Sequence, residues 1–351
     1  MTKTYSISAR KTEHFKICIN HDVEFKTLGT GFDNIRLKHC SLPEIDFNHV
    51  DTGTTFLDKK LSQPFMITAM TGGFEGAEDV NKILAEVCNE TKIALGLGSQ
   101  RQLLENSHYV KSFRVVRDST RDIPIVGNIG AAQIIKQVDR ERVLRLADLI
   151  EADAFAVHLN PLQEVLQPEG DTNYSGILRG LTDLVKMLNI PVIVKETGAG
   201  ISGKVARSLK DTGVRIIDIS GAGGTSWAAV ESYRTSDDDE LAKAFRDWGN
   251  PTVQCLKEVR QVEDISVIAS GGIFSGIDVA KALVLGADLV GAARPLLVAY
   301  HSKGQAGLKR MIQLWQQQLK TVMFLTGCCR VEDLKRVEYF DRRDYLKKEY
   351  E

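Results

Sequence analysis

The sequence predicts a closed (β/α)8 TIM barrel with an N-terminal extension and a long loop after strand six. From about residue 64, eight short β-rich runs alternate with amphipathic stretches at 3.6-residue spacing. The runs are continuously apolar instead of alternating in and out, which marks strands buried on both faces, as in a parallel sheet. With 351 residues, 43% hydrophobic and 26% charged, the chain is long enough for one large barrel with extensions. A doubly wound open sheet is the competing class. It needs fewer strands and usually opens on a G-x-G-x-x-G turn, which this N-terminus lacks.

Residues 1–63, rich in His, Asp and Lys, are expected as the extension, residues 64–327 as the barrel and residues 328–351 as a C-terminal tail. The strands are read in order as "PFMITAMTGG", "IALGLGS", "IPIVGNIG", "AFAVHLN", "IPVIVKETG", "RIIDISGAG", "ISVIASGGI" and "DLVGAARP". Helical patterns such as "VDRERVLRLADLIEA" and "GIDVAKALVLGA" lie between them. Residues 225–250 exceed the usual βα loop of about 2–6 residues, so they are expected to form a lid or a site-building loop.

A net charge of -1 offers no global field for nucleic acid or an anionic membrane, so neither is an expected partner. Any anionic ligand must be held by a local cluster of positive groups. The six cysteines form no C-x-x-C pair and no metal-ligand spacing, and no signal peptide precedes them. Free thiols in a cytoplasmic protein are the expectation, although the adjacent Cys328 and Cys329 leave a redox role open. No apolar stretch approaches the ~20 residues of a membrane span.

In such barrels the reactive groups sit at the C-terminal ends of the strands. Here each run ends in groups able to meet a ligand. Gly271 and Gly272 after strand seven, followed by "GAARPLL" after strand eight, suit either a tight turn or a phosphate held on backbone amides. Lys195 at the end of strand five suits a Schiff base, a phosphate partner or a countercharge to a cofactor ring. Together with Asn128 and the "TAMTGG" turn these groups fit flavin mononucleotide, its phosphate at strands seven and eight and its ring over strands one to five.

A second anion site is suggested by Arg10, Lys11 and His14 in "ARKTEHF", with Arg101 in "GSQR". Taken alone, that N-terminal stretch reads first as a solvated charged face. His158 and Asn160 at the end of strand four favour a diphosphate, although His158 also suits a hydrogen-bonded core position. Beside them, Glu164 reads either as a ligand for Mg²⁺ bridging phosphate oxygens or as a general base.

As a set, "RKTEH", "TAMTGG", "GLGSQR", "GNIG", "HLNPLQE", "QPEGDTN", "VKETGAGIS", "DISGAGGTSW", "DWGNPT" and "ASGGI" resemble the FMN-dependent type 2 isopentenyl diphosphate isomerases over most of the chain. The resemblance implies that Arg10, Lys11, His14, Arg101, His158 and Asn160 bind substrate diphosphate. It places Gln163 near the reacting carbons and Glu164 on Mg²⁺. It assigns Ala69, Met70, Thr71, Ser99, Asn128, Lys195, Ser220 and Thr225 to the flavin, and Gly272, Ile273, Phe274, Ala293 and Arg294 to its phosphate. Gln163 and Lys195 are the implied catalytic pair.

The implied reaction converts isopentenyl to dimethylallyl diphosphate by adding a proton at C4 and removing one from C2. Reduced FMN is the implied acid–base and electrostatic cofactor, with NADPH as reductant and a tetramer or octamer as the assembly. An FMN oxidoreductase of a small hydroxy acid or nucleotide is the main alternative, followed by a non-catalytic flavin- or phosphate-binding barrel. Hydroxy-acid oxidases carry a late His–Arg arrangement that this chain lacks, and inosine monophosphate dehydrogenases a loop cysteine at a strand end, also missing here.

Overall fold

The structure is a computed structural model that describes residues 7–235 and 239–343. All eight runs are strands. In barrel order they are β1 (Phe65–Ile67), β2 (Ala94–Gly96), β3 (Ile125–Gly130), β4 (Ala154–Leu159), β5 (Val192–Glu196), β6 (Ile216–Asp218), β7 (Ser266–Ser270) and β8 (Leu289–Ala292). Each pairs in parallel with its neighbours, and β8 returns to β1 to close the barrel.

Burial on both faces explains why the runs are apolar throughout. One set of side chains, including Met66, Val126, Ile193 and Ile268, fills the barrel interior. The other, including Phe65, Ile67, Phe155 and Val194, packs outward against the helices. An antiparallel hairpin, Thr54–Phe56 with Lys59–Leu61, adds Phe56 and Leu61 to the interior cluster and so plugs the barrel.

The extension and the tail are not separate appendages. Ile35–Leu37 from the first pairs antiparallel with Tyr339–Asp341 from the second. The expected tail runs past residue 343, outside the described residues.

Two elements shape the site. The N-terminal helix Ile7–Asn20 packs on the helix Trp227–Thr235 through Ile17, Ala229 and Val230. The latter helix belongs to the long loop after β6, which also contains Glu240–Ala244; residues 236–238 lie outside the described residues. The loop is therefore a folded cap, and Glu24 bridges to Thr225 at its root.

Candidate active site

A cavity of about 260 Å³ opens at the C-terminal strand ends, and all eight strand ends contribute lining residues. The N-terminal helix adds Arg10, Lys11 and His14 from above. Every residue assigned to substrate, metal or flavin from the sequence lines this one space except Thr71. The Thr71 hydroxyl is hydrogen-bonded to Asn81 and its carbonyl accepts from the Gly98 amide at 2.9 Å. It braces the wall from behind.

At one end the site is made of backbone. Gly272 has φ +66, and a Cβ there would lie 2.2 Å from Thr30 Cγ2. A Cβ on Gly224 would lie 2.4 Å from the Gly272 nitrogen, so the turns after β6 and β7 meet backbone to backbone. Among the described residues the amides of Gly272, Ile273 and Ala293 have no protein acceptor. The helix Arg294–Leu325 starts beside them, adding its positive N-terminal pole. Such a cradle fits a phosphate group.

Two side chains assigned to this end are engaged or exposed. Arg294 donates to the Cys18 carbonyl at 2.9 Å and pairs with Glu24 at 2.6 Å, so its guanidinium is already engaged within the protein. Phe274 is largely exposed and its amide donates to Asp278.

The floor is polar and ordered. Ala69 (φ +32) and Ser220 (φ +37) occupy left-handed backbone that costs non-glycine residues about 1–3 kcal/mol, a strain that concentrates at functional sites. Lys195 is buried and donates to the Glu196 carbonyl at 2.5 Å. Asn128 donates to the Leu97 carbonyl at 3.1 Å, which turns its own oxygen toward His158 Nδ1 at 2.9 Å. Burial, with Lys195, Lys11 and two arginines nearby, pushes the His158 imidazole down to about 3. It is therefore neutral, with Nδ1 as the donor to Asn128 and Nε2 as an acceptor.

The opposite end is made of side chains, most of them already paired. Arg10 faces Glu169 at 3.6 Å, Arg101 faces Asp171 at 3.0 Å, and His14 meets Glu231 at 2.8 Å. Lys11 has no carboxylate partner among the described residues. It donates to the carbonyls of Gly72, at 2.7 Å, and Ser99, and burial beside Arg10 brings its ammonium down to about 7. Asn160 joins Gln163, at 3.0 Å, to Glu164, at 2.9 Å. The other Glu164 oxygen accepts from Gln167 at 2.5 Å and from the Asp171 amide at 2.7 Å. A carboxylate has about four lone-pair positions, so one stays open for a metal ligand bond. No cluster of three or more metal-ligating His, Cys, Asp or Glu exists among the described residues. That suits Mg²⁺, which takes one or two carboxylates and draws its other oxygens from phosphate and water.

Sequence reasoning missed the network behind this end. Glu231 is fully buried and accepts from His14, from Gln163 at 3.5 Å and from Arg234 at 2.6 Å. Burial raises its carboxyl, but His14 and Arg234 outweigh that and hold it below the usual range. Arg234 in turn reaches Glu13 and Glu169. In one dimension Glu231 and Arg234 are ordinary charges on a loop helix. The signal available was the length of the loop itself.

Comparison with known proteins agrees with this geometry. A family model described as FMN-dependent dehydrogenase matches residues 119–340. The isopentenyl-diphosphate delta-isomerase of Pyrococcus abyssi is 44% identical, covering 93% of this chain and 90% of that protein. That of Rickettsia africae is 46% identical, covering 94% and 96%. That of Methanothermobacter thermautotrophicus is 42% identical, covering 98% and 99%. Among solved structures, a Pediococcus acidilactici putative lactate oxidase superposes with TM-score 0.66 at 16% identity, covering 95% of this chain and 93% of that one. Mandelate oxidase with (S)-2-phenylpropionate gives 0.66 at 17%, covering 93% of each. At such identity the oxidases show a common barrel alone. The full-length relatives show more: this chain belongs to the isopentenyl-diphosphate delta-isomerase family.

Proposed function

We propose that this protein interconverts isopentenyl and dimethylallyl diphosphate, using FMN in its reduced form and Mg²⁺. One observation carries the reading. A single cavity has an amide cradle for a cofactor phosphate at one end and a cation cluster for a second anion at the other, with Gln163 and Glu164 beside the cluster.

When bound, reduced FMN supplies an acid–base group and negative charge beside a carbon skeleton that turns cationic. The protein's own groups do the rest. Lys195 sets a positive charge at the cavity floor, which favours an anionic ring. Gln163 is held by Asn160 and Glu231 and contributes a polar amide without a competing charge. Arg10, Lys11, Arg101 and His14 hold the diphosphate, so that remote binding energy fixes the alkene in place. Glu164 supplies the carboxylate arm of the metal site. A neutral His158 presents Nε2 as an acceptor, so it serves the diphosphate either by gaining a proton or through a water.

NADPH as the reductant, a tetramer or octamer and a cytoplasmic location belong to this reading. No helix among the described residues is long and apolar enough to cross a membrane. The FMN oxidoreductase alternative is weaker, because the late-chain arginine that lines the cavity, Arg294, has its guanidinium bound to Cys18 and Glu24.

Anaerobic incubation of isopentenyl diphosphate with the FMN- and Mg²⁺-loaded protein, followed by proton NMR, tests the reading. Dimethylallyl diphosphate is expected with reduced flavin and not with oxidised flavin. Tight FMN binding without product in either state contradicts it.

A further inference from the structure

Beneath the main cavity lies a second one of about 10 Å³ inside the barrel, roughly the room one water needs. Its polar lining includes Thr68, Asn128, Lys195 and Asp218. Asp218 stands opposite Lys195 in the register of β5 and β6, and both side chains face this interior space. The Asp218 carboxylate is 2% exposed. It accepts from Ser270 Oγ at 2.5 Å, from the Ser220 amide at 3.3 Å and from Thr68 Oγ1 at 3.4 Å. All three of these partners are neutral groups. Burial pushes its carboxyl up, and the nearby Lys195 charge is the largest influence pulling it back.

Two other titratable groups feel Lys195. His158 is held neutral, as described above. Glu196 is the next residue along β5, so strand alternation turns it to the opposite face. There its carboxylate accepts the amides of Thr197 and Gly198, each at 2.6 Å, and of Ala199. It lines neither cavity. Asp218 is thus the acidic group that shares the barrel interior with Lys195.

We propose that Asp218 is a positioning residue for Lys195: a buried countercharge that sets how much positive field the lysine presents to a flavin above it. The proposal rests on the FMN reading of the cavity. With Asp218 ionised, the pair is neutral overall and can be buried without an orphan charge. Part of the lysine's field is then cancelled at the cavity floor. The hydroxyls of Thr68 and Ser270 hold the carboxylate in place, and its bond to the Ser220 amide ties it to the left-handed bend of the floor.

The test is the ratio of FMN dissociation constants, oxidised over reduced, measured anaerobically for the wild type, Asp218→Asn, Lys195→Met and the double variant. Removing the countercharge exposes the full lysine field, so Asp218→Asn is expected to raise the ratio about tenfold. In the Lys195→Met background the same change is expected to have no effect, because burial favours the neutral Asp218 carboxyl once the lysine charge that pulls it back is gone. An unchanged ratio in Asp218→Asn overturns the proposal, as does an effect that persists without Lys195. If Asp218→Asn does not fold, the double variant is expected to regain a cooperative melt, since it removes both buried charges. A double variant as unfolded as the single one overturns the proposal too. The readout is flavin affinity, so failure here is distinct from a failure of isomerase turnover.

Discussion

In the proposed reading, the two ends of the cavity hold anions by different means. At β7 and β8 the recognition is backbone: free amides, a helix N-terminus and glycine turns so close that a methyl group at Gly224 would strike a peptide nitrogen. At β2 and β4 it is side chain: Arg10, Arg101 and His14 wait in contact with Glu169, Asp171 and Glu231. The difference teaches how permanence is built. A backbone cradle needs no reorganisation and suits a resident cofactor. Cations stored in ion pairs stay charged and oriented while the substrate is away, and must exchange partners when it arrives.

The largest expected effect comes from breaking the backbone end. Gly224→Ala forces the two turns apart and is expected to weaken FMN binding about 100-fold, the scale of a few kcal/mol of backbone displacement. Flavin fluorescence titration reads it, and a thermal melt separates it from unfolding. Breaking the side-chain end should leave FMN alone. Glu164→Gln removes the charge of the proposed metal arm but keeps the shape, and is expected to lower kcat/KM about 100-fold at unchanged FMN affinity. Loss of FMN affinity in Glu164→Gln as well would mean that the two ends are one coupled site.

Lys11 sharpens the contrast, because among the described residues it has no carboxylate beside it. Burial costs its charged form, and a bound diphosphate restores it. Substrate binding therefore takes up a proton above about pH 7, and kcat/KM is expected to fall as pH rises through about 7. The stability sign follows from the same depression. Between about pH 7 and the ordinary lysine range the unfolded chain binds more protons, so the free protein gains stability as pH rises there. Lys11→Met is expected to abolish that pH limb, weaken substrate and raise Tm at pH 6 by about 2–4 °C. The smallest effect belongs to Arg294. Its guanidinium is spent on Cys18, His21 and Glu24, so Arg294→Met is expected to change FMN affinity by less than about fivefold.

Much of this was legible in one dimension, for a physical reason. A barrel strand buried on both faces must be an unbroken apolar run, and the chemistry sits where the run stops, so Lys195, Asn128 and His158 stand out. What stayed hidden is what only the third dimension brings together. Ile35–Leu37 and Tyr339–Asp341 pair across some 300 residues, and neither has a pattern that names its partner. Asp218 ends "RIID" and looks like another polar strand end, although its role depends on facing Lys195. Thr71 and Arg294 show the reverse limit. Motif position assigned both to the flavin, yet Thr71 lies behind the cavity lining and the Arg294 guanidinium is bound to Cys18 and Glu24.

The central claim is that the flavin serves proton chemistry while the cavity holds a diphosphate. Turnover in D₂O, with the flavin spectrum followed through the reaction, tests it most directly. The account predicts deuterium in dimethylallyl diphosphate and a reduced-flavin spectrum that is the same before and after many turnovers. A flavin that changes oxidation state in proportion to the substrate consumed would contradict it.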